Sequence, residues 1–419
     1  MQTALLVGVK TPDITQSEAG EHLKELSRLV DTMGLRVIDS ILVNLQKPSP
    51  KFFVGSGKAE EVTGVADERE VDCIIFDNDL SPSQQRNWEK LSDLCVIDRQ
   101  EVILDIFANR ASSREAVLQV GLARMEYSLP RLTRAWTHLS RQRGGARGAR
   151  GGTRGEGETQ LEADRRIVIH RINRFKAELK KVRAQRATRR KKRRSIPVPT
   201  GAIVGYTNAG KSSLLNALTE AEVFVENKLF ATLDPTTRRM PVENGAEVLL
   251  TDTVGFIRKL PHDLVDAFKS TLEETVLSDF LIHVLDGSSP DVEEHLATTL
   301  SVLDEMGAGE KPTITVFNKN DLVKNRERLA DLRSKYPNAI FTSVKTGAGL
   351  DIVAQAIKRL VYETTPIVEF QIPANRTDLA ALVHRTGRVL REAYNSDRIT
   401  LAAQVPDKTR GMLSAYIES

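Results

Sequence analysis

Eight residues near the middle of the 419-residue chain, GYTNAGKS from Gly205 to Ser212, restrict what it can fold into more than any other feature. They fit G-x-x-x-x-G-K-[ST], follow the apolar run GAIV and precede SSLLNALTE, which reads as a helix. A strand that turns through glycines into a helix points successive backbone N–H groups outward, where they can face phosphate oxygens. Glycine is needed because a Cβ would hold the backbone away from the ligand. In such a loop Lys211 bridges the two terminal phosphates and Ser212 ligates Mg²⁺. Gly205, Tyr206, Thr207, Asn208, Ala209, Gly210 and Ser213 form the cradle around them. An ordinary glycine turn can match the same pattern, so the reading needs further elements in a fixed order.

Those elements follow, most of them at the end of an apolar run. VLLTDTVGF places Asp252, Thr253, Val254 and Gly255 where a carboxylate can hold the metal through water and a glycine N–H can touch the γ-phosphate. ITVFNKND places Asn318, Lys319, Asn320 and Asp321 at the end of another strand. An aspartate there accepts from the N1–H and N2–H₂ groups of guanine; adenine has no such donor pair, so Asp321 selects GTP over ATP. Ser343, Val344 and Lys345, after AIFTS, close the base pocket. Phe230, Ala231, Thr232, Leu233 and Asp234 lie between the first two motifs, with Thr232 as the second direct protein ligand of Mg²⁺. The expected cofactors are therefore GTP or GDP with Mg²⁺, held by Ser212, Thr232 and, through water, Asp252. Thr232 and the segment from Asp252 to Phe256 are the expected switches. In LPHDLVDAFKSTLEE, which follows, the Leu264, Phe268 and Leu272 stripe reads as core.

The fold class is α/β: a nucleotide-binding domain with a mostly parallel sheet and helices on both faces, preceded by a small α/β domain and an antiparallel helical hairpin, and followed by a small α+β domain. Residues 1–112 alternate the strands LLVGV, LRVIDSILV, CIIF and CVI with helices over Ser17–Met33, Lys58–Ala66 and Ser81–Leu91. Ser17, with Gly20 and Glu21, is the expected start of the first helix and Gly34 its end. VGSGKAEE (54–61) reads as a turn and helix start, without completing a second phosphate loop. Across 113–195, Leu118, Leu122, Met125, Leu129, Leu132, Trp136 and Leu139 step by four and three, as do Leu161, Arg165, Val168, Ile172, Phe175, Leu179 and Val182. Two matched stripes predict two zipped helices, with Pro130 kinking or splitting the first. His138 and His170 read as surface or seam residues. Pro197 and Pro199 mark a stiff linker into the nucleotide domain, 196–365. In 366–419, IVEFQI and ITLAAQV read as strands around a helix over Asp378–Asn395.

The net charge is only +4, but the basic residues crowd into 141–194. A local block of one sign points to a polyanionic partner more directly than global charge does. The tip between the arms carries Arg141, Arg143, Arg147, Arg150 and Arg154 among glycines. Arginine forms forked contacts with phosphate and stacks on bases, and glycine lets a loop follow an irregular surface. A solvated linker is the plainer reading, but a stiff two-helix stalk favours a tip that makes contact; the run Arg189–Arg194 is a weaker case of the same kind. Cys73 and Cys95 lack metal-ligand spacing and read as reduced thiols. No run reaches the length of a membrane span, and the expectation is a cytoplasmic monomer, with peripheral membrane attachment left open.

DTVGFIRKLPHDLVDAFKSTLEE, LFATLDPTTRR and PRLTRAWTHLSRQRGG…RGEGETQLEADRR together resemble the HflX family of ribosome-associated GTPases. The upstream block carries the family-specific part, because the nucleotide motifs are shared by many GTPases. The resemblance implies binding to the large ribosomal subunit and its RNA, with the basic loop near the peptidyl-transferase region, and a role in splitting stalled or stressed ribosomes. A non-ribosomal RNA-binding or protein-binding regulator that uses GTP as a conformational ligand is the alternative. One departure, Val344 where GTPases usually carry alanine, leaves a backbone contact undisturbed. Many GTPases place a glutamine after D-x-x-G to orient the attacking water; here Phe256 stands there, so no catalytic base is assigned. Asn208 resembles the asparagine of GTPases that use K⁺ in place of an arginine finger; a loop-stabilising amide is the competing reading.

Overall fold

The computed structural model describes residues 2–132, 156–194, 198–219, 229–230, 233–242, 247–258, 274–364, 366–395, 397–405 and 407–417. Ala231 and Thr232, the arginine tip, Trp136, His138, Leu139 and the Leu264, Phe268, Leu272 stripe lie outside the described residues. The described residues form two compact units, one up to Val182 and one from Arg183 onward.

The first unit opens with a four-stranded parallel sheet, β1 (Thr3–Lys10), β2 (Arg36–Asn44), β3 (Cys73–Phe76) and β4 (Cys95–Asp98), in the order β2-β1-β3-β4. Helices α1 (Gln16–Met33), α2 (Ser56–Glu68), α3 (Pro82–Ser92) and α4 (Arg99–Arg110) alternate with the strands. Each expected strand is present. The start of α1 differs from expectation: Thr15, not Ser17, is the cap, its hydroxyl accepting from the Glu18 N–H at 3.2 Å while the Glu18 carboxylate accepts from the Thr15 N–H at 2.6 Å. This reciprocal cap satisfies two orphan donors at once, which Ser17 has no partner to do. VGSGKAEE is the turn and start of α2, with Gly55 as cap. Cys73 and Cys95 are free thiols, the first buried and the second half-buried.

The hairpin arms are α5 (Arg114–Ser128) and α6 (Glu156–Arg194). Leu132, Val168 and Ile172 form a buried cluster with Leu122, Met125 and Leu129 packed on it. Lys176 pairs with Glu126 at 2.8 Å, and Arg114 lies 3.7 Å from Glu178, so the arms run antiparallel. Gly121 lets them close up: a Cβ there would meet the Phe175 ring at 3.3 Å. Pro130 acts as its missing N–H requires: α5 stops at Ser128 and a single 3-10 turn, Leu129–Arg131, follows. His170 is exposed.

The second unit carries a six-stranded sheet of β5 (Thr200–Gly205), β6 (Thr236–Pro241), β7 (Glu247–Asp252), β8 (Phe280–Asp286), β9 (Thr313–Asn318) and β10 (Ile340–Phe341), in the order β10-β9-β8-β5-β7-β6. All neighbours are parallel except β6 and β7. Leu214 and Leu215 of α7 (Lys211–Thr219) and Val353, Ile357 and Val361 of α10 (Leu350–Thr364) pack with Ile203, Ile282 and Val284 on one face. Val292 of α8 (Val292–Glu305) and Leu332 of α9 (Arg326–Lys335) pack with Leu285 and Phe317 on the other.

The chain ends in an antiparallel sheet, β11 (Ile367–Pro373), β13 (Arg398–Gln404) and β12 (Arg388–Tyr394) in that order, with α11 (Thr377–Thr386) and α12 (Asp407–Met412). The expected helix over Asp378–Asn395 is too long: α11 stops at Thr386 and the remainder is β12. Gly387 marks the break, since a Cβ there would meet Val405 Cγ1 at 2.5 Å and the Gln404 carbonyl oxygen at 2.7 Å.

Candidate nucleotide-binding site

Parallel sheets place ligands at the carboxyl ends of their strands, at the point where the strand order reverses. Here the chain runs from β5 outward to β7 on one side and β8 on the other. The expected motifs extend from the ends of β5, β7, β9 and β10.

At the end of β5 the loop is held by close backbone packing. Gly205 has φ 144° and Gly210 φ 97°, conformations that favour glycine. A Cβ on Gly205 would lie 2.1 Å from the Val284 carbonyl oxygen, and one on Gly210 would lie 2.3 Å from Asn318 Nδ2. Asn208, at the turn, takes φ 58°, which asparagine tolerates better than most residues. The Thr207 hydroxyl accepts from the Phe230 N–H at 2.9 Å, tying the loop to the segment that leads to Ala231 and Thr232. Phe230 and Leu233 are buried; Asp234 and Ser213 are half-buried.

Lys211 is buried and donates to the Tyr206 carbonyl at 2.9 Å. Burial pushes its ammonium down to about 8, opposed by the negative charge of Asp252 and assisted by the positive charge of Lys319. Ser212 Oγ donates to Asp252 Oδ2 at 2.6 Å. The Thr253 hydroxyl donates to the Ile203 carbonyl at 2.7 Å, fixing the end of β7 to β5. Val254 and Phe256 are buried. Gly255 lies directly on the loop: its Cβ would be 2.6 Å from Thr207 Cα and 2.9 Å from Lys211 Nζ.

The end of β9 does two jobs. Asn318 Nδ2 donates to the Ala209 carbonyl at 3.0 Å, and Asn318 Oδ1 accepts from the Val344 N–H at 3.1 Å. One buried amide thus joins the phosphate loop to the Ser343 segment. Lys319, at φ 62°, pairs with Asp286 at the end of β8 across 2.8 Å. Asn320 N–H donates to the Thr342 carbonyl at 3.1 Å. Asp321 is exposed, and its Oδ1 accepts from Ser343 Oγ at 2.6 Å, which sets the carboxylate in place. Val344 is half-buried and Lys345 exposed.

Three features of the site have no local motif. His283 of β8 is buried beneath the loop, and burial and the Lys211 charge press its imidazole down to about 4. Tyr206 stacks on His295 of α8 with ring centroids 3.7 Å apart and planes 13° apart. The Tyr206 hydroxyl also accepts from the Arg258 N–H at 2.8 Å. Only the run FLIHVLD, a polar residue inside an apolar strand, hinted at the first; the other two depend on contacts between distant segments.

Comparison with known proteins gives the family. Family models described as "GTP-binding GTPase N-terminal", "GTP-binding GTPase Middle Region" and "50S ribosome-binding GTPase" match residues 20–108, 110–193 and 200–319. A protein of Akkermansia muciniphila named GTPase HflX is 49% identical over 100% of this chain and 97% of its own length. The GTPase HflX of Escherichia coli K12 is 41% identical over 94% of this chain and 91% of its own. A GTP-binding protein from Sulfolobus solfataricus, solved in complex with GDP, is 25% identical with a TM-score of 0.44, covering 87% of this chain and 99% of that one. The identity of 41–49% to proteins of that name, along nearly the whole chain, makes the protein a GTPase of the HflX family.

Proposed function

We propose that this GTPase holds GTP with Mg²⁺ at the ends of β5, β7, β9 and β10 and works on the large ribosomal subunit, where it takes part in splitting or rescuing stalled ribosomes. The observation that carries the nucleotide reading is the buried Asn318 amide, which locks the phosphate loop and the Ser343 segment together while Asp321 stands beside them. Residues 205–213 take the phosphates, with Lys211 at the terminal pair. Gly255, with Thr253 and Val254 beside it, lies next to the γ-phosphate, and Phe230–Asp234 form the first switch. Asn318, Lys319, Asn320 and Asp321 with Ser343, Val344 and Lys345 take the guanine.

The donor set suits Mg²⁺. Ser212 Oγ and the buried Asp252 carboxylate converge at 2.6 Å, an all-oxygen arrangement of the kind a hard cation takes. Ser212 and Thr232 would bind it directly and Asp252 through water; the ion would neutralise charge developing on the phosphates. The Phe256 side chain offers no hydrogen bond to water, so hydrolysis by the isolated protein is slow and the ribosome completes the site. Asn208 would hold K⁺, which would spread the charge of the transition state, and turnover in potassium salt is expected to exceed that in sodium salt; equal rates would leave Asn208 as a loop-stabilising amide.

The Lys211 ammonium, held near 8 by burial, links nucleotide binding to pH. Phosphate raises that value, so binding takes up a proton above about pH 8 and affinity falls as pH rises. Calorimetry with GDP should give a Kd about fourfold weaker at pH 8.5 than at pH 7, and a flat profile would show that the phosphates do not meet this ammonium.

The ribosomal part rests on the match of 200–319 to a model described as a 50S ribosome-binding GTPase, and on the paired stalk of α5 and α6 leading to the arginine-rich tip. Among the described residues no helix is long and apolar enough to cross a membrane. We take the protein to act as a monomer in the cytoplasm, where ribosomal RNA is its partner. Co-sedimentation with purified large subunits should be stronger with a GTP analogue than with GDP and should weaken steeply with salt. Turnover should rise when the subunits are added. Equal turnover with and without them would favour the alternative, a regulator that uses GTP only as a conformational ligand.

A further inference from the structure

The segment after β7 does more than pass by the phosphate loop. The Thr207 N–H donates to the Phe256 carbonyl at 2.7 Å, and the Phe256 N–H donates to the Gly205 carbonyl at 3.1 Å, a short parallel ladder that extends the sheet beyond β5. Gly255 is thereby set against Thr207 Cα and Lys211 Nζ with no room for a methyl group. Two residues farther on, the Tyr206 hydroxyl accepts from the Arg258 N–H. The Tyr206 ring is braced from below by His295. One loop residue therefore touches three parts of the site: its carbonyl takes the Lys211 ammonium, its hydroxyl takes the Asp252–Arg258 segment, and its ring rests on α8.

We infer that Tyr206 is a positioning residue that latches the D-x-x-G segment against the phosphate loop through its hydroxyl, and so sets how strongly the site prefers GDP over GTP. The inference rests on the reading of residues 205–213 as the phosphate cradle. A β-phosphate needs the loop N–H groups and Lys211, and nothing from Gly255. A γ-phosphate must fit between Lys211 and the Gly255 N–H, where a Cβ on Gly255 would already lie 2.9 Å from Lys211 Nζ. GTP can bind only if the Phe256 ladder parts and the Arg258 N–H leaves Tyr206, whereas GDP can bind with both in place. Whatever stabilises the closed arrangement therefore counts against GTP alone, because a ligand shifts a two-state equilibrium only by its differential affinity for the two states.

Tyr206→Phe keeps the ring and the stack and removes only the hydroxyl. Calorimetry of the full chain with GDP and with a non-hydrolysable GTP analogue should show the analogue-to-GDP affinity ratio rising roughly threefold to tenfold, the worth of one neutral hydrogen bond. His295→Ala, which withdraws the brace from the ring, should move the ratio the same way, and it decides the matter if the first variant fails to fold. An analogue-to-GDP ratio that stays within twofold of the parent, or equal shifts for both nucleotides, would overturn the latch. GDP binding by the parent chain tests the cradle itself, so failure of the cradle and failure of the latch give different results.

Discussion

Asp321→Asn is expected to weaken GDP and GTP binding by roughly a hundredfold or more, and to do so by changing the base that the pocket accepts. The carboxylate would accept two hydrogen bonds from guanine, each strengthened by its charge. An amide keeps one acceptor and replaces the other with a donor, which then opposes the guanine N2–H₂ group. The Ser343 hydroxyl, 2.6 Å from Asp321 Oδ1, can turn to donate to the amide oxygen or accept from the amide N–H, so the pocket should hold its shape in the variant. The same reversal creates a match for a purine with a carbonyl at C2. Competition calorimetry with GDP and xanthosine diphosphate should therefore show the first weakened and the second strengthened. Loss of both nucleotides would mean that the variant damaged the fold, and loss of neither that the base lies elsewhere.

Lys211→Met should separate binding from stability in opposite directions. The ammonium is buried, and its shift from 10.5 to about 8 means that the folded chain holds the charged form at a disadvantage. The sign follows directly. A lysine whose folded value lies below its unfolded value destabilises the fold fully below about pH 8, and the penalty is relieved as pH rises from there towards 10.5. Methionine keeps most of the apolar stem and carries no charge. At pH 7 the nucleotide-free variant should be more stable than the parent by on the order of 2–3 kcal/mol in urea unfolding. GTP affinity should fall by roughly a hundredfold or more, because the terminal phosphates lose their buried cation. Such a stable, inactive variant is the usual mark of a residue retained for function at the expense of the fold. A variant that loses stability as well as affinity would show that the hydrogen bond to the Tyr206 carbonyl outweighs the desolvation of the charge.

Much of this was legible in the chain because the relevant chemistry is local. The phosphate loop, the D-x-x-G segment and the N-K-N-D segment each follow an apolar run and carry their own turn residues, so strand, turn and side chain can be read together. The two stripes of the hairpin were legible for the same reason: Val168, Ile172 and Leu179 keep the spacing that puts them on one face, and all three are buried. Reading failed where the signal is non-periodic or long-range. Helix α4 is hard to see in the sequence because Val102, Ile103, Leu104, Ile106 and Phe107 are all buried, and the short run VILDIF reads as strand as easily as helix beside a polar face only one residue wide. Strand β12 reads as helix in the sequence because RVLREAY has ordinary helix formers; what makes it a strand is pairing with β13, which lies after it in the chain. The amide bridge from Asn318 to Ala209 spans 109 positions, and the stack of Tyr206 on His295 is likewise invisible until the chain has folded.

The most direct test of the whole account is a calorimetric titration of the purified chain with GDP, GTP analogue and ATP, with Mg²⁺ present, repeated on Lys211→Met and Asp321→Asn. Saturable binding of both guanine nucleotides, none of ATP, and loss of guanine binding in both variants is the outcome that a nucleotide held between Lys211 and Asp321 requires. Undiminished guanine binding in either variant, or equal affinity for ATP, would place the nucleotide somewhere else on the protein.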